Sequence, residues 1–286
     1  MSISYFKLTG FCSLVFVTLI AFSASSNNIS ANLEMDIERF TQTMAKKHKF
    51  DPEYIKQLLL QAKKKPEILA VIESPGEAQP WYVYRNYFIN EKGIARGVNF
   101  WNKHDKSLAR AEAEFGVAAE IILGIIGVET RFGNQLGGYR VLDALFTLGF
   151  HYPRRADYFQ TELANFLLMT RGEKMDPLSV KGSYAGAVGW PQFMPSNYLR
   201  YAVDFDKDGK RDLINSIDDA IGSVANYLKL HGWHPNQDIA IPAKVTGKSF
   251  HNVLKWGIKP QKTIQQMRGL GIRPMSAAYN GMKAAL

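Results

Sequence analysis

Ala118-Ala119-Glu120-Ile121-Ile122-Leu123-Gly124-Ile125-Ile126-Gly127-Val128-Glu129-Thr130-Arg131 is apolar around almost its whole circumference when wound as a helix. A helix that is hydrophobic all round belongs inside a protein, so this stretch reads as a buried central helix. Gly116 precedes it and Gly133 follows it, and both punctuate the chain. Near its end stands Glu129, a carboxylate where apolar residues dominate. Burial disfavours the anion, and so does the negative end of a helix dipole, so both effects favour a protonated Glu129. A neutral carboxylic acid is what protonation of a glycosidic oxygen requires. The bland alternative is an ion pair with Arg131, Arg85 or Arg140, because structural pairs perturb carboxylates as well.

Outward from this stretch the chain reads as mainly α. Residues 33–73 carry helical patterns, with Asp51-Pro52-Glu53 as a helix start: a side-chain cap, proline at the first position and an acid in the first turn. Ser74-Pro75-Gly76 interrupts. The aromatic run Trp81-Tyr82-Val83-Tyr84-Arg85-Asn86-Tyr87 follows, read as core packing in preference to sugar stacking. Residues 105–114 form a helix before the central one. Residues 156–171 form another, with Phe159, Leu163, Phe166 and Leu167 on one face and a stop at Arg171-Gly172. A glycine-rich loop spans 180–196. Residues 216–231 are helical, and 238–250, with Ile239 and Ile241 alternating, is the best strand candidate.

Composition bounds the function. The 286 residues have 46% hydrophobic and 12% aromatic content, enough for a real core and unlike a disordered chain. One cysteine, Cys12, excludes a disulfide framework and a cysteine-based zinc site. Lys+Arg 35 against Asp+Glu 26 gives +9, which fits a polyanionic partner. Lys7 is the only charge in residues 1–30, and the apolar run Leu8–Phe22 has the length of a signal-peptide core rather than a membrane span. Small residues place cleavage after Ser23 or Ser25, giving residues 1–23 as an export signal. Phe11 occupies the position where a lipobox before Cys12 wants a small residue, which disfavours a lipoprotein anchor. Export to the periplasm makes nucleic acid an unsuitable partner and an anionic envelope polymer a suitable one.

Asp204-Phe205-Asp206-Lys207-Asp208-Gly209-Lys210-Arg211-Asp212 matches the D-x-D-x-D-G opening of a calcium loop. Asp204, Asp206 and Asp208 crowd a turn at Gly209, and the Lys210 carbonyl is a further oxygen. Asn215 stands where the closing glutamate belongs.

Gly127-Val128-Glu129-Thr130-Arg131-Phe132-Gly133 resembles the catalytic motif of bacterial lytic murein transglycosylases, and most nearly that of the membrane-bound lytic transglycosylase B family. Collinear segments agree: Leu142-Asp143-Ala144-Leu145, Tyr152-Pro153-Arg154-Arg155-Ala156-Asp157-Tyr158-Phe159, Lys181-Gly182-Ser183-Tyr184-Ala185-Gly186-Ala187, Gln192-Phe193-Met194-Pro195-Ser196, and Ala220-Ile221-Gly222-Ser223-Val224-Ala225-Asn226-Tyr227 through His231-Gly232-Trp233. The resemblance covers roughly residues 35–280. It implies a lysozyme-like helical core with an N-terminal helical lobe and a small β-containing element. It places the transglycosylase domain at 30–286, the lobe at about 30–100 and the catalytic core at about 101–235. The implied reaction cleaves the β-1,4 bond between N-acetylmuramic acid and N-acetylglucosamine in peptidoglycan, leaving a 1,6-anhydromuramoyl end. Glu129 is the implied acid and base. Ser183 and Gln192 fall on polar sugar-binding positions. Arg154, Arg155, Phe193, Met194 and Tyr227 fall on the cleft lining, with Tyr84 a weaker match. The family's loop is closed by an acid before Ala-Ile-Gly-Ser, here Asp219 with Asp218 as the neighbouring alternative, and Ca2+ is implied as a structural ion with no cofactor for catalysis. A monomer acting on glycan strands is expected. The family's later Tyr-Asn segment is not matched in this sequence, which implies a weakened cleft. Two rival readings remain open: a hydrolytic muramidase, and an impaired or non-catalytic peptidoglycan-binding envelope protein.

Overall fold

Helix boundaries follow local chemistry along most of the chain. The structure, a computed structural model, describes residues 32–73, 80–237, 239–275 and 281–286. The export segment and Cys12 lie outside these residues. The chain divides into one unit running to Trp233 and a second at His234–Leu286.

The first unit opens with α1 (32–48), α2 (Pro52–Leu60) and α3 (Pro66–Glu73). Asp51 caps α2 as expected, its carboxylate accepting from the Glu53 amide at 2.9 Å. Next come α4 (Trp81–Tyr84), α5 (Glu91–Phe115) and α6 (Ala119–Thr130). The helix expected at 105–114 is the second half of α5. That helix starts at the Asn90 cap, passes a non-helical φ/ψ at His104 and ends at Gly116 in the left-handed region. It runs across residue 100, where the lobe and core were expected to part. The strand β1 (Tyr139–Arg140), α7 (Val141–His151) and α8 (Ala156–Gly172) follow, then β2 (Lys181–Gly182), α9 (Pro195–Tyr201) and α10 (Ile217–Leu230). β1 and β2 pair antiparallel, Tyr139 opposite Gly182 and Arg140 opposite Lys181.

Two apolar clusters hold this unit. One surrounds α7 and α8 and includes Leu142, Leu145, Phe159, Leu163 and Phe166. Each such side chain contributes about 1.5–3 kcal/mol by leaving water. Every residue from Val141 to Gly149 is buried, so α7 is the central helix. The expectation that α6 is buried all round is corrected: only Ala119, Ile122, Ile126 and Thr130 are buried, and Gly124 and Val128 are exposed. The second cluster joins the buried face of α6 to α5 and α10 through Phe100, Leu108, Ile122, Ile126, Ile221 and Val224.

The aromatic run at 81–87 is a second correction. Trp81, Tyr82 and Tyr87 are exposed, so core packing does not explain it.

The second unit contains β3 (Ala243–Val245), α11 (Phe250–Leu254), β4 (Lys262–Thr263), α12 (Ile264–Arg268), β5 (Ile272–Pro274) and β6 (Lys283–Ala284). Val253, Met267 and Ile272 form its small core. The strand expected over 238–250 shrinks to three residues paired with β5, and Ile239 lies exposed outside it. The class is mainly α with small β elements, as the sequence implied.

Candidate active site

Glu129 occupies the last turn of α6. Thr130 beside it is fully buried and fixes how the helix ends. Its hydroxyl donates to the Ile126 carbonyl at 3.2 Å and accepts from the Gly133 amide at 3.1 Å, while its carbonyl accepts from Gln135. Arg131, Phe132 and Gly133 all have positive φ, a conformation that stores about 1–3 kcal/mol at each non-glycine position. The chain leaves α6 in a tight hook, and Glu129 stands at its base. Burial does not act on this carboxylate as expected, because Glu129 is exposed. Its position at the C-terminal end of the helix is as expected. Of the three arginines considered as its partner, Arg140 is taken by Asp143 at 2.5 Å.

The segment leaving the hook is tied to the glycine-rich loop. A Cβ on Gly133 would come within 2.3 Å of the Trp190 ring. Gly137, with φ near 92°, lies so close to the Gly182 backbone that a Cβ would sit 2.1 Å from its carbonyl group. One step beyond is Ser183. Its hydroxyl accepts from the amides of Ala185 and Ala187 at 3.3 and 3.1 Å, and its own amide donates to the Ala187 carbonyl. Gln192 has a positive φ and donates its side-chain amide to Leu136 and Gly189 carbonyls at 3.2 and 2.9 Å. Its side-chain oxygen takes no hydrogen bond among the described residues. Ser183 and Gln192 are thus held on one loop, braced against the strand that descends from Glu129.

Phe193 is buried and bridges to Val188, with its ring 5.4 Å from that of Tyr227. Met194 packs partly buried against the same core. Tyr227 is enclosed further by Tyr201 at 5.1 Å and by His231, stacked at 4.0 Å with its Nδ1 2.7 Å from the Tyr227 carbonyl. Arg155 is exposed and lies over the rings of Tyr158 and Phe159, and Arg154 is exposed. Tyr84 makes ring contacts with Trp81, Tyr87 and Phe88 of its own segment among the described residues. Trp190 and Tyr201, outside the quoted motif segments, and His231, within the last of them, pack around Gly133 and Tyr227.

The acidic loop brings together Asp204, Asp206 and Asp219, with one carboxylate oxygen from each within 4.8 Å of the others. Asp219 is buried, and burial pushes its pKa up, opposed by the backbone amides of Asp212, Phe205 and Asp206. A buried acid beside two others fits a divalent cation that would replace the proton. Asp208 lies outside this group, its carboxylate accepting from the Lys210 amide at 2.9 Å. Asp218, the alternative closing acid, turns away to accept from Ser107.

Residues 32–286 match the family described as Transglycosylase SLT domain. The chain is 43% identical over 259 residues to membrane-bound lytic murein transglycosylase B of Escherichia coli K12, spanning 87% of this chain and 70% of that protein. It resembles the crystal structure of soluble lytic transglycosylase SltB1 from Pseudomonas aeruginosa at 45% identity and a TM-score of 0.81, covering 86% and 82% of the two chains. The Escherichia coli lytic transglycosylase Slt35, solved in complex with calcium, matches at 43% identity and a TM-score of 0.78, covering 88% and 79%. The chain belongs to the transglycosylase SLT-domain family. No helix among the described residues is long and apolar enough to cross a membrane.

Proposed function

We propose that this protein is a peptidoglycan lytic transglycosylase with Glu129 as its single acid and base. The observation that carries the reading is the anchored hook: the Glu129 carboxylate at the end of α6, joined through Gly137 and Gly182 to the loop of Ser183 and Gln192. In this reading the Glu129 carboxyl first gives its proton to the glycosidic oxygen, and the bond to the muramoyl anomeric carbon breaks. The substrate's N-acetyl oxygen supports the positive anomeric centre, as in substrate-assisted glycosidases. The Glu129 carboxylate then takes the proton of the C6 hydroxyl, whose oxygen closes on the anomeric carbon. The proton is returned, no water is consumed, and the product is a 1,6-anhydro ring. The acid form is favoured on substrate binding by the helix terminus and by the exclusion of water beneath a bound strand. Ser183, Gln192 and Tyr227 would orient the sugars, with Phe193 and Met194 backing them. Arg154 and Arg155 would meet the anionic polymer, and Tyr84 would contact it further out.

A hydrolytic muramidase needs a second carboxylate at the sugar. The buried carboxylates among the described residues are otherwise engaged. Asp143 accepts from Arg140 and the Lys63 amide, Glu162 from Ser196, and Asp219 from three loop amides. The lyase reading is favoured by the relatives, which are named lytic transglycosylases. Residues 1–23 would direct export to the periplasm, where the substrate lies.

Asp204, Asp206 and Asp219 would hold a structural Ca2+, with Asp208 and the Lys210 carbonyl as the loop's further oxygens. Calcium is expected to raise the melting temperature, because it binds the folded loop and not the unfolded chain. Asp204→Ala with Asp206→Ala should abolish that rise in a thermal melt with and without calcium. An equal rise in the double variant would reduce the loop to a simple turn.

A further inference from the structure

We propose that the groove between α5 and α6 docks an amphipathic helix with acidic flanks, supplied by a partner protein. The groove holds about 860 Å³; its lining includes Gly127, Val128, Arg131 and Phe132, which flank Glu129, but none of the side chains proposed above to touch the glycan or the metal. Its floor is the Phe132 ring, lying across Gly97 and Gly127. Its walls are Ile94, Val98 and Val128, exposed at 58%, 55% and 46%, values far from those of core residues. Apolar surface of this extent, rimmed by polar groups, marks an interaction site. Both walls are helices, and Gly124 offers an open notch where a Cβ would meet nothing within 4 Å. A third helix fits between two such ridges, with its backbone brought close at the notch and apolar anchors at i, i+3, i+4 and i+7 filling the trough.

Charge selects the kind of helix. The lining contains Lys92, Arg96 and Arg131 and no carboxylate. None of the three has an ion-pair partner among the described residues. Complementary acidic residues flanking an apolar face would speed encounter and set orientation. A bilayer surface would press on the protruding Ile94 and Val98 and leave the Phe132 floor untouched, so concavity favours the helix.

The test does not depend on the proposed chemistry. A labelled synthetic 18-residue helical peptide, with leucines at groove spacing and glutamates on both flanks, is titrated with the full chain by fluorescence anisotropy. A lysine-flanked twin serves as its control. The glutamate peptide should bind at least tenfold more tightly. Lys92→Glu with Arg96→Glu should reverse the preference, and Gly124→Phe, placed in open space, should remove binding of both. Circular dichroism checks that each variant folds; if Gly124→Phe does not, the charge-reversal pair decides. Equal affinity for the two peptides, or binding untouched by both sets of variants, overturns the proposal. It is also overturned if the peptides fail while phosphatidylglycerol vesicles bind in a Gly124-dependent way, which makes the surface a membrane contact. A dimer in solution that Gly124→Phe dissolves, with no peptide binding, assigns the groove to a second copy instead.

Discussion

Replacing Glu129 with glutamine is expected to abolish the release of anhydromuropeptides while leaving the fold and the binding of peptidoglycan intact. The side chain is exposed and the exchange preserves volume, so no core packing is lost. An amide cannot give a proton to the leaving oxygen or take one from the C6 hydroxyl. Positioned acid–base groups contribute about 10²–10⁴-fold, and here one group would serve both steps. The measurement is product release from purified sacculi, together with sedimentation of the protein with the same sacculi. A variant that releases products at near the parent rate removes Glu129 from the mechanism.

Gly137→Ala should be nearly as damaging, through geometry alone. A methyl group there would lie 2.1 Å from the Gly182 carbonyl group, on a backbone with φ near 92°. The neighbouring contact is backbone, so no side chain can swing aside. Strain of this kind is worth about 1–3 kcal/mol before the clash is counted. Relief means parting β1 from β2, which moves Ser183 relative to Glu129. Misplacement by about 1 Å can lower a rate about 10²-fold. The melting temperature and the rate should both fall. Gly138→Ala is the control, because a Cβ there meets nothing within 4 Å. Equal behaviour of the two variants would show that the hook and the glycine-rich loop are not coupled.

The two halves of the proposed site were not equally legible in the sequence. Glu129, Ser183, Gln192 and Tyr227 stand in motifs, and motif spacing survives in one dimension. The Gly137–Gly182 approach joins residues 45 positions apart, and neither glycine differs in sequence from an ordinary turn residue. The character of α6 misled for a related reason. Gly124, Gly127 and Val128 count as apolar in any periodicity, yet they line an uncovered groove, and the buried role passes to α7. The helix read at 105–114 is only the second half of α5, which starts at Glu91 and carries Gly93 and Gly97 in its first half. In the acidic loop, spacing pointed to Asp204, Asp206 and Asp208 and the resemblance added Asp219; the fold gathers Asp204 and Asp206 with Asp219, from the first turn of α10. The exposed aromatic run at 81–87 shows the same limit, since hydrophobicity alone does not say which surface stays open.

The central claim is that bond cleavage is completed by the sugar's own hydroxyl and not by water. Mass spectrometry of the muropeptides released from purified peptidoglycan reads this directly. The account predicts products with 1,6-anhydromuramoyl ends, one water lighter than their hydrolytic counterparts and resistant to borohydride reduction. Release of reducing muramoyl ends as the main product would contradict it and make the protein a hydrolase.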